Sequence, residues 1–441
     1  MFKLYRRKST HHQQGGPHPM NPIKKGACRL VQHAFHIAIP FLPYHDPVCF
    51  SCLEEARPLF RTWENKTVLV VTDPFLAKTF MIATLIDTLF IENVSCVLYD
   101  KTQANPKVDD VEAALELYHQ YNCSAIIALG GGSSIDCAKA IGARAAFPNK
   151  PLSKLKGLLK VYKPIPPLVA IPTTAGTGSE VTLAAVITDE KTHHKYTINS
   201  FTLIPKYAIL DAEFTRTLPP SLSATTGMDA LCHAVEAYIG HSNTKKTRQY
   251  AKEAVRLIVQ NIERVYEDGN DMEARSNMLH ASFLAGKAFT RAYVGYIHAI
   301  AHALGGQYNI PHGLANAIIM PYMLEAYGQA VHKPLHELAI CAGLSTPLES
   351  DALGAEKFVQ AIRSLNAMMN IPCEIEQIQE TDIPTMAKHA SKEANPLYPV
   401  PVLMDQGELE AMFYRLKNLE VRQKELIQKY VFSTYRSHPS I

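Results

Sequence analysis

The sequence predicts an α/β domain built on a parallel sheet, followed by an all-helical domain. Three observations carry this. From Lys66 onward, short β-branched apolar runs alternate with helical segments of about a dozen residues, the pattern of a parallel sheet covered on both faces. After the turn LPPSLSATTG, from Met228, nearly every segment places apolar residues at i, i+3 and i+4. The 441 residues also exceed the roughly 250–300 at which a single core stops growing. The expected divisions are a disordered basic tail at 1–25, the α/β domain at 26–217 and the helical domain at 218–441.

The start of the chain, MFKLYRRKSTHHQQGGPHPM, is basic, polar and rich in His, Gln, Gly and Pro, a composition unable to bury a core. An acid-poor, Arg-containing start is similar to an organellar transit peptide, but Ser9 is its only serine and no amphipathic period is visible. A secretory signal is not expected, because the apolar run AFHIAIPFL begins only at Ala34 and is interrupted by His36 and Pro40. A cytoplasmic location is expected, with an organellar one left open by the basic start.

The α/β elements follow as KTVLVVTD, a helix at 75–90, VSCVLYD, a helix at 109–121, SAIIALG, a helix at 133–146 and PLVAIPTT. Further strand-like runs occupy 184–211. In the helical part, LPPS marks a turn, and Ser223, Thr225 and Thr226 offer N-cap oxygens.

Bulk properties exclude several classes of function. No run of ~18 apolar residues is present, so no membrane partner is expected. The net charge of +3 hides an asymmetry: residues 1–45 hold seven Lys and Arg and no acid, leaving 37 basic against 41 acidic residues elsewhere. Nucleic-acid binding is therefore unsupported by the body of the chain. Nine scattered cysteines favour free thiols over a disulfide framework, and Cys49 and Cys52 form an isolated CxxC read as packing.

Two glycine turns leave the carboxyl ends of strands. SAIIALG runs into Gly130-Gly131-Gly132-Ser133-Ser134, where backbone N–H groups at a helix start suit a phosphate. Ser133 and Asp136 fit a capping box with Asp in place of Glu or Gln. Thr173-Thr174-Ala175-Gly176-Thr177-Gly178-Ser179 leaves a second strand, and two such loops at one sheet edge predict a crevice. Asp73, closing VLVVTD, is placed to accept from ribose hydroxyls and to repel a 2′-phosphate, favouring NAD over NADP. GxGxxG is absent, and the acid precedes the glycine turn by about 60 residues where the usual fingerprint has it about 20 behind. A Rossmann-like variant is expected.

Downstream, Asp229 and His233 stand four apart in GMDALCHAVEAY, and His298 and His302 four apart in GYIHAIAHALGGQYNIPHG. Such spacing puts two side chains on one helix face, about one turn apart. Gly305-Gly306 predicts a helix stop, and His312 then opens the helix LANAIIMPYML and folds back beside His298. One carboxylate and several imidazoles without thiolate suit Fe(II), Zn(II), Mn(II) or Co(II). Cys232, between Asp229 and His233, reads as a packing residue.

Four separate motifs in this order, GGGSSIDCAKA, IPTTAGTGSEVT, GMDALCHAVEAY and AFTRAYVGYIHAIAHALGGQYNIPHGLANAIIMP, resemble the iron-containing (group III) alcohol dehydrogenase family, from about Lys66 to the C-terminus. The resemblance implies a dehydroquinate synthase-like architecture: a dinucleotide-binding α/β domain, a helical domain and an active site in the cleft between them. It implies Asp229, His233, His298 and His312 as ligands of Fe(II), with Zn(II) as an alternative. His302 lies near the metal but off it, in place to relay a proton. Nucleotide contacts are implied for Asp73, Asn105, Gly131, Gly132, Ser133, Asp136, Thr173, Thr174, Thr182 and Lys195. The stretch PVCFSCLEEA stands where the family carries glycines before its first strand, and Ala184 and Ala185 are expected to line the cleft and to favour apolar or unbranched alcohols over polyols. The implied reaction is reversible hydride transfer between NAD(H) and a primary alcohol or its aldehyde, by a homodimer. The alternatives are a hydroxyacid–oxoacid transhydrogenase that holds its nucleotide through turnover and, from another class, a non-catalytic scaffold with a structural metal.

Overall fold

The computed structural model describes residues 21–190 and 194–417. Most of the tail expected at 1–25 therefore lies outside the described residues, as does the end of the helical domain from 418. Residues 22–25, assigned to that tail, form instead the first turn of α1 (Pro22–Ala38). Composition missed this because the helix is held from outside: Cys28 and Gln32 are buried, and Arg29 donates to Val400 O and Pro401 O. By its packing α1 belongs with the helical half, not with an α/β domain beginning at 26.

The strands are β1 (Val48–Phe50), β2 (Thr67–Val71), β3 (Ser95–Tyr99), β4 (Ala125–Gly130), β5 (Gly157–Leu158), β6 (Leu168–Pro172), β7 (Ala184–Asp189), β8 (His194–Asn199) and β9 (Tyr207–Ile209). Six form one sheet in the order β1-β9-β6-β4-β2-β3, with every pairing parallel. The other three form a sheet in the order β5-β8-β7, in which β7 and β8 are antiparallel. PVCFSCLEEA thus supplies the edge strand β1 and a short turn after it.

The helices of this half are α2 (Arg57–Arg61), α3 (Phe80–Ile91), α4 (Val108–Gln120) and α5 (Gly132–Ala146). Strand residues alternate between two cores. Val68, Val70, Ile127 and Leu129 pack with Phe60, Met81 and Leu85, while Leu69, Val71, Ile126 and Ala128 pack with Val111, Ile135 and Ile141. Burial on both faces explains the continuous apolar runs, and each fully buried Val, Leu or Ile contributes roughly 1.5–3 kcal/mol. The chain leaves β2 for β3 on one side and returns to β4 on the other, so a crevice opens at the carboxyl ends of β2 and β4.

Among the described residues no strand follows Ile209. The helices are α6 (Pro220–Ile239), α7 (Lys245–Glu267), α8 (Met272–Ala292), α9 (Tyr296–Tyr308), α10 (His312–Tyr327), α11 (His332–Cys341), α12 (Asp351–Met368), α13 (Ile383–Ala394) and α14 (Gln406–Lys417). They share one core, with α6 at its centre: every residue from Gly227 to Ile239 is buried. A helix buried all round can present polar groups only where partners await them.

Local expectations shifted at four element ends. The helix expected from 75 begins as a short turn, Leu76–Lys78, because Asp73 Oδ1 accepts from the Phe75 and Leu76 amides. α6 starts at Pro220 on the Pro-at-N1 preference, so Ser223, Thr225 and Thr226 lie inside it and cap nothing. Thr225 and Thr226 bond back to carbonyls one turn earlier. α9 runs through Gly305-Gly306 and stops at Asn309, whose φ of 59° supplies the left-handed cap. The Ser133–Asp136 capping box is absent, since α5 begins at Gly132 on an extended Gly131.

Candidate metal and nucleotide site

Three helices bring together the four side chains expected to share a metal. Asp229 and His233 project from the middle of α6, His298 from the first turn of α9, and His312 opens α10. One donor atom from each lies within 4.8 Å of the others. His298 Nε2 and His312 Nε2 stand 3.9 and 3.6 Å from Asp229 Oδ1. His298 Nε2 is buried with no hydrogen-bond partner among the described residues. An orphaned, fully desolvated lone pair facing a carboxylate and two imidazoles is what a divalent cation would satisfy, and separations near 3.6–3.9 Å suit atoms sharing an ion at roughly 2.0–2.2 Å. The donor set therefore fits the group.

The surroundings orient the candidate donors. His233 stacks on Phe289 at 4.0 Å and on His298 at 4.5 Å between ring centres. Glu236 Oε2 lies 2.6 Å from His298 Nδ1, which assigns that nitrogen the proton and leaves Nε2 as the donor to a metal. The same carboxylate accepts from the amides of Gly295 and Ile297, capping α9 from within the core. Asn316 Nδ2, one turn along α10 from His312, donates to Asp229 Oδ1 at 2.7 Å and faces His312 Nε2 at 3.1 Å. Burial pushes His298 well below its ordinary value, helped by the neighbouring imidazoles, and pushes His312 down to about 4 against the pull of Asp229. Both imidazoles are neutral at pH 7, the form in which a ring nitrogen can donate to a metal. Burial drives the Glu236 carboxyl up to about 7, opposed by the amides of Gly295, Ile297 and His298.

His302 stands outside the four-donor group. Its ring stacks on His312 at 5.1 Å and its Nδ1 is 2.7 Å from Glu393 Oε1, which also accepts from Tyr398 Oη. Burial alone would lower its pKa, but the charge and hydrogen bond of Glu393, with the charge of Asp229, carry it above the ordinary value. Cys232 Sγ approaches His298 Nδ1 at 3.8 Å, and burial keeps the thiol protonated; it is a packing neighbour.

The glycine loops meet at the crevice. A Cβ on Gly131 would touch Thr174 at 3.4 Å, and one on Gly132 would press on Thr177 at 3.0 Å. Gly178, at φ 60°, lies so near α8 that its Cβ would fall 2.8 Å from Gly286 Cα. Thr173 N donates to Gly130 O, joining the two strand ends. Asn105 N donates to Ser133 Oγ at 3.3 Å, and Lys195 Nζ to Asn105 Oδ1 at 2.9 Å. Lys195 stands near enough to His302 and His312 for its charge to oppose protonation of both. The second loop also abuts α6: a Cβ on Gly176 would meet Thr226 Cβ at 2.6 Å, one turn before Asp229. Asp73 commits Oδ1 to its own turn, leaving Oδ2 without a hydrogen-bond partner among the described residues.

Three expectations need correction. Asp136 accepts from Ser179 Oγ and the Val186 amide, so both oxygens face protein. Thr182 Oγ1 accepts from Lys139 Nζ. Neither side chain is turned to a nucleotide; both hold the second glycine loop in place. The reason is Lys139, wholly buried under that loop, whose ammonium donates to Ser179, Thr182 and the Ala184 carbonyl and draws polar partners inward. Burial lowers Lys139 to about 8 against the charges of Asp136 and Glu180. Ala185, expected in the cleft, is fully buried in the α/β core.

Sequence reasoning missed Glu236, Asn316, Glu393 and Lys139. Glu236 and Asn316 carried a signal, since they fall at i+3 from His233 and i+4 from His312 on the same helix faces. Glu393, 91 residues from His302, carried none.

Comparison with known proteins places these elements among relatives. The family model for iron-containing alcohol dehydrogenase matches residues 49–212, and that for the C-terminal region of the Fe-containing alcohol dehydrogenase family matches 223–416. The chain is 37% identical over 365 residues to 1,3-propanediol dehydrogenase of Citrobacter freundii, covering 82% of this chain and 93% of that one. It is 36% identical to alcohol dehydrogenase 4 of Saccharomyces cerevisiae (80% and 92% covered), and 34% to NAD-dependent methanol dehydrogenase of Bacillus methanolicus (79% and 92%). The solved structure of a 1,3-propanediol oxidoreductase superposes with a TM-score of 0.80 at 35% identity, covering 85% of this chain and 99% of that one.

Proposed function

From the premise that the chain belongs to the iron-containing alcohol dehydrogenase family and is an alcohol dehydrogenase-type enzyme, we propose that it moves a hydride reversibly between NAD(H) and a primary alcohol or its aldehyde. The observation that carries this is the four-donor cluster of Asp229, His233, His298 and His312, with the His298 lone pair unpartnered, set against the crevice of the two glycine loops. A divalent metal held by these four, Fe(II) on the family's pattern, supplies Lewis-acid polarisation of the substrate oxygen.

The chain's own residues do the rest. The amides opening α5 at Gly132 and Ser133 carry no side-chain cap and receive the pyrophosphate. Asp73 accepts from a ribose hydroxyl through Oδ2 and disfavours a 2′-phosphate. Lys195, anchored on Asn105, places a positive charge between pyrophosphate and substrate. His302, with Nδ1 committed to Glu393, takes or returns the hydroxyl proton at Nε2. Phe289 against His233 excludes water from one side of the cluster.

The test joins metal and turnover. Protein purified anaerobically should contain about one divalent ion per chain and oxidise NADH with short aldehydes. His298→Ala should lose metal and activity together; full metal content in that variant removes His298 from the ligand set. Exchange between a hydroxy acid and an oxo acid without added NAD is the outcome that would replace this reading with a transhydrogenase.

A further inference from the structure

The segment Tyr398-Pro399-Val400-Pro401 is a strap that crosses the start of α9. Pro399 and Pro401 have no N–H, so the strap makes little structure of its own beyond the bond from Val400 N to Tyr398 O, and its carbonyls call for outside donors. All four have them. Gln32 Nε2 donates to Tyr398 O at 2.7 Å, Arg29 Nη1 to Val400 O at 2.7 Å and Arg29 Nη2 to Pro401 O at 2.8 Å, while the His241 amide takes Pro399 O. Arg29 also donates to Gln32 Oε1, locking the pair. Three of the four carbonyls are thus held by α1, which lies outside the residues matched by the family models.

What the strap touches gives the contact its meaning. A Cβ on Gly295 would meet Glu236 Oε1 at 2.6 Å and Val400 Cγ1 at 3.4 Å, so the strap closes over the place where Glu236 grips α9 and His298. At its other end Tyr398 Oη donates to Glu393 Oε1, the partner of His302. We propose that Arg29 and Gln32 are positioning residues: they hold the strap down, and through it keep Glu236 on His298 and Glu393 on His302. α1 is a brace for the active site, supplied by a segment that the shared family domains do not include.

The proposal rests on the functional reading above for its catalytic consequence only. The test is the Arg29→Ala, Gln32→Ala double variant beside the parent enzyme, metal-loaded. Hydrogen exchange at the Gly295 and Ile297 amides should speed by about tenfold, and metal loss to EDTA should speed by about tenfold or more, as when a partner of a ligand is loosened. kcat should fall with KM for NAD unchanged, a split that general destabilisation would not give. Arg29→Lys, which keeps the charge but not the fork, should fall between. Parental exchange and EDTA rates in the folded double variant overturn the brace, and so does an equal loss in NAD binding. Should the double variant not fold, Gln32→Ala alone, which removes the α1 bond to Tyr398 O and the Gln32 Oε1 partner of Arg29, is read in the same way, with parental values overturning the proposal. If the parent turns over no alcohol, the functional reading fails, yet amide exchange still decides the brace.

Discussion

Replacing Glu236 should separate the metal site from the fold that carries it. Its carboxylate receives three donors: Gly295 N at 2.8 Å, Ile297 N at 2.9 Å and His298 Nδ1 at 2.6 Å. Glu236→Gln keeps the shape and one acceptor oxygen but removes the charge. With the amide oxygen at the Oε2 position, the bonds to Gly295 and His298 survive as neutral ones while the amide NH2 opposes the Ile297 N–H. The reverse placement forces His298 to carry its proton on Nε2 and withdraws its lone pair from the cluster. Either way His298 becomes the weaker ligand, and loss of such a partner costs about 10–100-fold in metal affinity, or about 1.4–2.8 kcal/mol at tenfold per 1.4 kcal/mol. Glu236→Leu leaves all three donors buried and unmet at about 1–3 kcal/mol each, so it should lower Tm severely. The assay is competition with a chromogenic chelator at pH 8, above the value near 7 to which burial lifts Glu236, with a thermal melt in parallel. Parental metal affinity in Glu236→Gln, or an equal drop in NADH affinity, would refute the assignment of Glu236 to orienting His298.

Asp73→Gly should raise the NADP-to-NAD ratio of kcat/KM, because the carboxylate at the end of β2 repels a 2′-phosphate; an unchanged ratio removes Asp73 from the ribose site. Gly286→Ala should cost roughly 1–3 kcal/mol and weaken NADH binding, since its methyl would fall 2.5 Å from Val181 Cγ1 and push α8 off the Gly178 turn; calorimetry and a fluorescence titration read both effects, and an unchanged melt refutes the close contact. His336 is raised chiefly by its bond to Asp351 at 2.9 Å. A raised value in the folded state means that this bond stabilises fully below about 6.5 and fades as pH climbs through the folded pKa. His336→Gln should therefore lower Tm more at pH 6 than at pH 8.5, and an equal loss at both values would show that the charge contributes nothing.

The two i,i+4 pairs, Asp229 with His233 and His298 with His302, were legible because helix periodicity alone stacks such residues. The strand-to-glycine turns were legible for a similar reason: a run such as SAIIALG ending in three glycines defines both the strand and the close backbone approach after it. Where sequence reading went astray, the partner was remote. Asp136 carried the look of a helix cap, but its oxygens are taken by Ser179 and Val186, 43 and 50 residues on. Ser223 looked like a cap, yet its hydroxyl accepts from Arg275. Residues 22–25 looked like part of a disordered tail because α1 owes its order to carbonyls some 370 residues away.

The choice of Asp229, His233, His298 and His312 without His302 came with the family resemblance; the patterning of the sequence determined the alternation of strands and helices, the change to an all-helical second half, and the two i,i+4 pairs. Those follow from periods of two and 3.6 residues and from turn chemistry, which act over a few residues. The tertiary structure alone decided which nitrogen of His298 faces the cluster, that Asp136 and Thr182 serve the buried Lys139, that Glu393 stands behind His302, and that α1 reaches the strap. Each of these is a desolvated polar group settling on whatever partner the packed core brings within hydrogen-bond distance, and that distance is fixed by packing, not by spacing along the chain.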